Sequence, residues 1–277
     1  MTEQPPAPSA DLAFALALAD LADSISLPRF RAADLRVATK PDRTFVTDAD
    51  TAVERALRER IEAERPGDGF FGEESGRADR GERRWILDPI DGTSNFLRGV
   101  PNWGTLIALE VDGEPVVGVV SAPAFGARWW AETGGGSWAR GLDSRDGEAQ
   151  GGDPQPRRLR VSGVGELSDA SLSFQSIAQW RDAGYLDSLL SLSEQVWRDR
   201  AYGDMWSYML LAEGLLDLVA EFDVKPYDLA ALVPIVREAG GSFTDIAGES
   251  TVWAGSALAS NGRLHQAAVE AIAAARG

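Results

Sequence analysis

Apolar and polar positions alternate along this chain in two periods. From about residue 10 to 27, Leu12, Leu16, Ala19 and Asp23 mark successive turns of a helix that Pro28 is expected to end. Ala49, Val53, Ala56, Leu57 and Ile61 recur at helical spacing and predict a second helix from Asp48 to Glu64. Strand patterns follow at Arg84 to Leu87, Thr105 to Val111 and Val116 to Ala122. Asp112-Gly113 joins the last two as a tight hairpin, and Trp129-Trp130-Ala131 extends the meander. Gly141 to Pro156, rich in Gly, Asp, Ser, Gln and Pro, reads as a surface loop and divides the chain into halves, 1–150 and 151–277. In the second half, strands are expected at Leu159 to Val161, Leu172 to Phe174, Val196 to Tyr202, Leu216 to Ala220, Ser242 to Thr244 and Ala257 to Ala259. Helices are expected at Tyr185 to Ser193, Met205 to Glu213, Asp228 to Ala239 and Arg263 to Ala275. The layout is mixed α and β, with a sheet in each half.

Composition narrows the chemistry. The 277 residues carry 27 Lys and Arg against 43 Asp and Glu, a formal charge of −16. Such a balance argues against nucleic acid or an anionic membrane as partner, and it repels a phosphorylated substrate unless bound cations invert the local field. There is no cysteine and one histidine, which removes thiol nucleophiles, disulfides and Cys/His zinc sites. His265 reads as a surface position on the terminal helix. The N-terminal segment has no basic residue before its first apolar run, and the run Leu12 to Ala19 is far short of the ~20 residues needed to span a bilayer. A soluble, cytoplasmic protein working through carboxylates and metal is the expectation.

Acids recur at the ends of apolar segments. Trp85-Ile86-Leu87 runs into Asp88-Pro89-Ile90-Asp91-Gly92-Thr93, two carboxylates on one turn with a hydroxyl two positions on and the Ile90 carbonyl between. Hard divalent cations such as Mg²⁺ take such oxygen sets, and an Asx-turn at a strand end accounts for the local pattern equally well. Phe70-Phe71-Gly72 leads into Glu73-Glu74, which solvated turn residues also explain. Thr47 and Asp50 fit a capping box at the start of the second helix. Asp228 follows Pro226 at another helix start, where the macrodipole favours an acid. Asp48-Ala49-Asp50 invites comparison with aspartyl-phosphate phosphatases. Ala52 stands where that pattern needs Thr or Val, and no long apolar strand precedes it, so that reading is rejected.

Taken together, Gly72-Glu73-Glu74-Ser75, Asp88-Pro89-Ile90-Asp91-Gly92-Thr93-Ser94-Asn95-Phe96 and Tyr227-Asp228-Leu229-Ala230-Ala231 resemble the inositol monophosphatase family, with Glu238-Ala239-Gly240-Gly241 and Ser260-Asn261-Gly262 as later landmarks. The resemblance covers about residues 10 to 275. It implies a five-layered αβαβα fold, a homodimer, and hydrolysis of a small phosphate monoester with two to three Mg²⁺ per site. By position, Glu73, Asp88 and the Ile90 carbonyl would hold the first metal. Asp88, Asp91 and Asp228 would hold the second, and Glu73 with Asp50 would support a third. Thr93 would orient the attacking water, with Asp50 and Glu73 as its catalytic company. Asp91, Gly92, Thr93 and Asp228 would face the substrate, Gly92 and Thr93 through backbone N–H groups directed at the phosphate.

Within that family the second half resembles histidinol-phosphatases, through Arg200-Ala201-Tyr202-Gly203-Asp204, Tyr208 and Lys225-Pro226-Tyr227-Asp228. The similarity makes Arg200, Asp204 and Glu221 the expected substrate contacts. Acids at 204 and 221 also suit the cationic head of L-histidinol phosphate, whereas neutral inositol needs only hydrogen bonds. Ser94, where many such members carry Lys, and the segment 249–257 depart from the pattern. Inositol or broad sugar-phosphate hydrolysis on the same metals is the alternative. A catalytically dead scaffold is disfavoured by the presence of all five acids and Thr93.

Overall fold

The computed structural model describes residues 4–40, 44–141 and 155–275. Its first part runs α1 (Ala10–Arg29), β1 (Val37–Thr39), β2 (Phe45–Thr47), α2 (Asp48–Glu64), β3 (Gly69–Gly72), β4 (Gly76–Ala78), β5 (Arg83–Asp91), α3 (Thr93–Arg98), β6 (Gly104–Val111), β7 (Glu114–Ala122), β8 (Ala127–Glu132) and β9 (Gly136–Arg140). The second part continues with β10 (Arg157–Arg158), β11 (Ser171–Ser173), α4 (Ile177–Asp182), α5 (Leu186–Gln195), β12 (Arg198–Arg200) and α6 (Asp204–Ala212). It ends with β13 (Leu218–Phe222), α7 (Pro226–Leu229), α8 (Leu232–Glu238), β14 (Ser242–Thr244), β15 (Ser256–Ser260) and α9 (His265–Ala274). Most of the expected loop, residues 142–154, lies outside the described residues.

Strand alternation sorts side chains onto two faces and thereby builds layers. The larger sheet has the order β10-β9-β8-β7-β6-β5-β3-β4, antiparallel except where β3 runs parallel to β5. Trp85, Leu87, Ile107, Leu109, Val117 and Val119 face α1 and α2 and form one core with Leu18, Leu57 and Ile61. Their neighbours Ile86, Leu106, Ala108 and Val120 point the other way, onto α6 and α8. The smaller sheet, β12-β11-β13-β15-β14, turns Val219, Ala257 and Ala259 into that same middle layer. Leu218, Ala220 and Leu258 face outward onto Trp180 of α4, Leu189 of α5 and Ile272 of α9. The result is the expected five-layered αβαβα sandwich. No helix among the described residues is long and apolar enough to cross a membrane.

Several boundaries differ from expectation for local reasons. α1 continues through Pro28, because a proline in the last turn interrupts few of the helix's own bonds. The single helix expected over 228–239 is two, parted at Ala230-Ala231. Pro234 lacks the N–H that would reach the Ala230 carbonyl, so the ladder opens four residues upstream of it. Leu159 to Val161 is no strand: Leu159 N–H donates to the Ser137 carbonyl and Val161 N–H to the Ala239 carbonyl, bridging two elements. Only Arg198–Arg200 of the expected strand 196–202 pairs, on the sheet edge. β10, after residue 150, belongs to the first sheet. The hairpin forms as expected, with Asp112 at φ 52° and Gly113 at φ 85° supplying the left-handed turn.

His265 is half-buried rather than a plain surface residue, held between Ser260 Oγ and Thr244 Oγ1 at 3.0 Å each. Burial lowers its pKa, so it is a neutral strut tying α9 to the small sheet.

Candidate active site

The two acids of the Asp88-Pro89-Ile90-Asp91 turn are shaped by a break in pairing. β5 and β6 stay in register to Asp88, shift, and meet again at Asp91 and Gly104. Asp88 Oδ1 accepts the Ile90 N–H at 3.0 Å, so the Asx-turn is present as well as the acid pair. Thr105 Oγ1 donates to the Pro89 carbonyl at 2.9 Å and pins the turn from the next strand. Gly92, at φ 80°, starts α3, and a Cβ there would stand 2.9 Å from the Asn102 carbonyl oxygen. Beneath α3, Phe96 packs on Trp103 and Phe30 with Ile90 and Ala49, giving the turn an aromatic floor.

Thr93 joins this turn to α2. Its hydroxyl lies 3.0 Å from the Ile90 carbonyl oxygen and 3.1 Å from Asp50 Oδ1. Asp50 is fully buried as the N3 residue of the expected capping box, its Oδ2 accepting the Thr47 N–H at 2.9 Å. Asp228 occupies the same kind of position in α7, with Oδ2 accepting the Lys225 N–H at 2.7 Å. Oxygens of Asp88, Asp91 and Asp228 all lie within 4.8 Å of one another, and so do those of Asp50, Glu73 and Glu74.

Glu73, Asp88, Asp91 and Asp228 line one cavity of about 300 Å³, together with Ile90, Gly92, Thr93, Asp204 and Glu221, while Asp50 and Glu74 stand behind its wall. Arg200 is the exception among the expected contacts. It is exposed on the edge strand β12, its Nη1 donating to the Asp199 carbonyl at 2.6 Å, and it does not line the cavity of this chain. Residues not foreseen complete the frame. Lys40 reaches Glu73 at 2.8 Å and Glu74 at 2.6 Å. Glu54, one turn after Asp50, accepts the Glu74 N–H at 2.8 Å and packs directly on Gly72, where a Cβ would meet that carboxylate at 2.5 Å. Asn95 Nδ2 donates to Asp204 Oδ2 at 2.7 Å, and Gln175 Oε1 accepts the Asp204 N–H at 3.0 Å.

Electrostatics follows from this crowding. Burial, then the charges of Glu73, Asp91 and Asp228, push Asp88 well above the usual carboxylate range. Asp91 is raised by burial and by Asp204 and Asp228, against the Met205 N–H that its Oδ2 accepts at 2.7 Å. Burial raises Glu73 to about 7, opposed by Lys40, and raises Asp228 to about 6. Seven acids line the cavity, and among the described lining residues there is no Lys, Arg or His to offset them. These acids repel a phosphate dianion unless cations bind first. The converging hard oxygens therefore fit divalent metal of the Mg²⁺ type.

Layered fold, acid-lined cavity and oxygen donor set together are those of a phosphoric monoester hydrolase. The inositol monophosphatase family model matches residues 8–276, and the chain belongs to that family. A histidinol-phosphatase from Mycobacterium tuberculosis is 53% identical over 256 residues, covering 92% of this chain and 95% of its own. Another, from Streptomyces coelicolor, is 50% identical over 260 residues, covering 92% and 94%. Among solved structures, an inositol monophosphatase from Zymomonas mobilis superposes with a TM-score of 0.80 at 32% identity, covering 96% of this chain and all of the other.

Proposed function

We propose that this phosphatase hydrolyses L-histidinol phosphate to L-histidinol and orthophosphate, with two to three Mg²⁺ held by Glu73, Asp88, the Ile90 carbonyl, Asp91 and Asp228 and supported by Asp50. The observation that carries the substrate is a surplus of acid. After the converging ligands are assigned, Asp204, Glu221 and Asp223 remain on the cavity wall; Asp223 is exposed and paired with Lys225 at 3.0 Å, whereas a phosphate needs neither Asp204 nor Glu221 and a cationic head group can use both. The names of the two relatives at 53% and 50% identity support the same reading.

When bound, the metals supply positive charge for the phosphate oxygens and make water a usable nucleophile near neutral pH. The chain's own groups do the positioning. The Thr93 hydroxyl has one proton and two lone pairs; its proton is directed to Asp50 Oδ1 or the Ile90 carbonyl, which leaves a lone pair to accept a hydrogen bond from water. Asp50, anchored by the Thr47 cap, and Glu73 on the facing turn then stand to take up the proton that the water loses. First-turn N–H groups at Gly92 and Thr93 have no acceptor within α3 and receive the phosphate oxygens. In this reading residues 1–150 supply most ligands for metal, and residues 151–277 supply Asp228 and the head-group contacts. The proposal includes a cytoplasmic homodimer, which would give the exposed Arg200 on the sheet edge a neighbouring chain to meet.

A phosphate-release assay on histidinol phosphate, inositol 1-phosphate, glycerol phosphate and a nucleotide bisphosphate tests it. We expect histidinol phosphate to lead by kcat/KM and all activity to vanish on chelation and return with Mg²⁺. Full turnover after exhaustive chelation removes the metal, and a preference for inositol phosphate moves the protein to the alternative substrate class.

A further inference from the structure

Two neighbouring side chains on the cavity wall carry polar atoms that complete no hydrogen bond of normal geometry within the protein. Tyr208 lies one helical turn after Asp204 on α6, so both side chains project from one face of that helix. Glu221 lies two residues after Val219 on β13, shares its face, and therefore points into the middle layer that α6 occupies. Both residues line the cavity, and they are only 1% and 2% exposed. The Tyr208 hydroxyl and the Glu221 carboxylate are close enough to interact with each other, yet Tyr208 Oη and Glu221 Oε1 complete no hydrogen bond of normal geometry. The Tyr208 ring is fixed by stacking on Phe243, with centroids 5.6 Å apart and planes 22° apart. Buried groups left unmet are costly and uncommon in native interiors. Here the two unmet atoms share one cavity wall, and a ligand can supply what is missing.

We propose that the Tyr208 hydroxyl is a specificity-determining group that, with Glu221 Oε1, reads an azole ring on the substrate's head. A neutral imidazole offers one N–H and one bare ring nitrogen. The N–H donates to Glu221 Oε1 and the phenolic O–H donates to the bare nitrogen, so both orphaned atoms are satisfied by one flat group. An ammonium has only donors, so it can answer the carboxylate but offers the phenolic O–H no acceptor. That division leaves the ammonium of histidinol to Asp204, which Asn95 and Gln175 hold in place. The inference rests on the histidinol phosphate reading and adds Tyr208 to it.

Tyr208→Phe removes the oxygen and keeps the ring and its stacking. The quantity to follow is the ratio of kcat/KM for histidinol phosphate to that for propyl phosphate, which has no polar head. We expect the ratio to fall about 10- to 30-fold, mainly through KM, because the substrate's ring nitrogen loses its donor. Calorimetric titration of L-histidinol into the Mg²⁺-loaded protein with orthophosphate present should show the same loss of affinity. Glu221→Gln should lower the ratio as well, and the double variant should lose less than the product of the two. If Tyr208→Phe does not fold, as judged by circular dichroism, the Glu221→Gln ratio and the histidinol titration carry the test. An unchanged ratio in an enzyme that prefers histidinol phosphate overturns the role of Tyr208 alone. A wild-type preference for a polyol phosphate overturns the azole and the underlying substrate reading together.

Discussion

Asp204 is held in a conformation that most residues avoid. Its φ of 51° is left-handed, and so is the 56° of Gln175, which accepts its N–H. Strain of this kind, of order 1–3 kcal/mol per residue, persists where surrounding contacts over-determine the backbone, and such places cluster at functional sites. Burial raises the Asp204 carboxyl, while hydrogen bonds from Gln175 and Asn95 hold it down. A cation about 4 Å away is worth up to ~4 kcal/mol at an effective dielectric near 20, and ordering and desolvation reduce this to about 2 kcal/mol. Asn suits the left-handed region and keeps an oxygen for Asn95, so Asp204→Asn removes charge with little added strain. We expect the selectivity for histidinol phosphate over glycerol phosphate to drop about 30-fold. Equal losses on both substrates would instead make Asp204 a support for the Met205 N–H that Asp91 accepts.

At the scale of elements, what was legible came from short-range physics. The Thr47/Asp50 box and the Asp112-Gly113 turn are complete within four residues, and both formed as read. The acid pair at Asp88 and Asp91 was visible for the same reason. Lys40, Glu54 and Gln175 escaped notice because their partners are brought close only by tertiary packing: Gln175 meets Asp204 across 29 residues of chain, and Lys40 meets Glu73 across 33. The parting of α7 from α8 had a local cause in Pro234, outweighed in the reading by the apolar period around it. That break matters to packing, because it lays the Ala231 carbonyl over β7. A Cβ on Gly118 would stand 2.1 Å from that oxygen and 2.7 Å from Pro234 Cγ. Neither neighbour is the end of a flexible side chain, so the middle layer must move as a whole. Gly118→Ala should therefore cost about 3 kcal/mol or more. Urea unfolding measures it, and a loss below about 1 kcal/mol would show that the layers slide apart easily.

Across the whole molecule, the charge of −16 is not spread evenly: seven acids face one cavity, and its described lining residues include no cationic side chain. Folding gathers them against their mutual repulsion, and burial adds to the cost. A fold of five packed layers can carry that cost, since three apolar cores flank the site. Function then follows from an instability confined to one place, which bound cations relieve. Metal binding to the folded chain alone stabilises it by RT ln(1 + [L]/Kd), about 2.7 kcal/mol at a hundredfold excess over Kd. In a protein of this size each kcal/mol moves the melting temperature by roughly 2–4 °C. We expect Mg²⁺ to raise Tm by about 5–10 °C over the chelated protein. Asp91→Asn separates the two halves of this account. Its amide oxygen can still accept the Met205 N–H, while one of the mutually repelling charges is gone. The metal-free variant should melt at or above the metal-free wild type, yet lose most of the Mg²⁺-induced rise and at least about 10²-fold in turnover. A variant that melts lower without metal would make Asp91 a structural acid. One that keeps the full Mg²⁺-induced rise would place the metal elsewhere in the cavity.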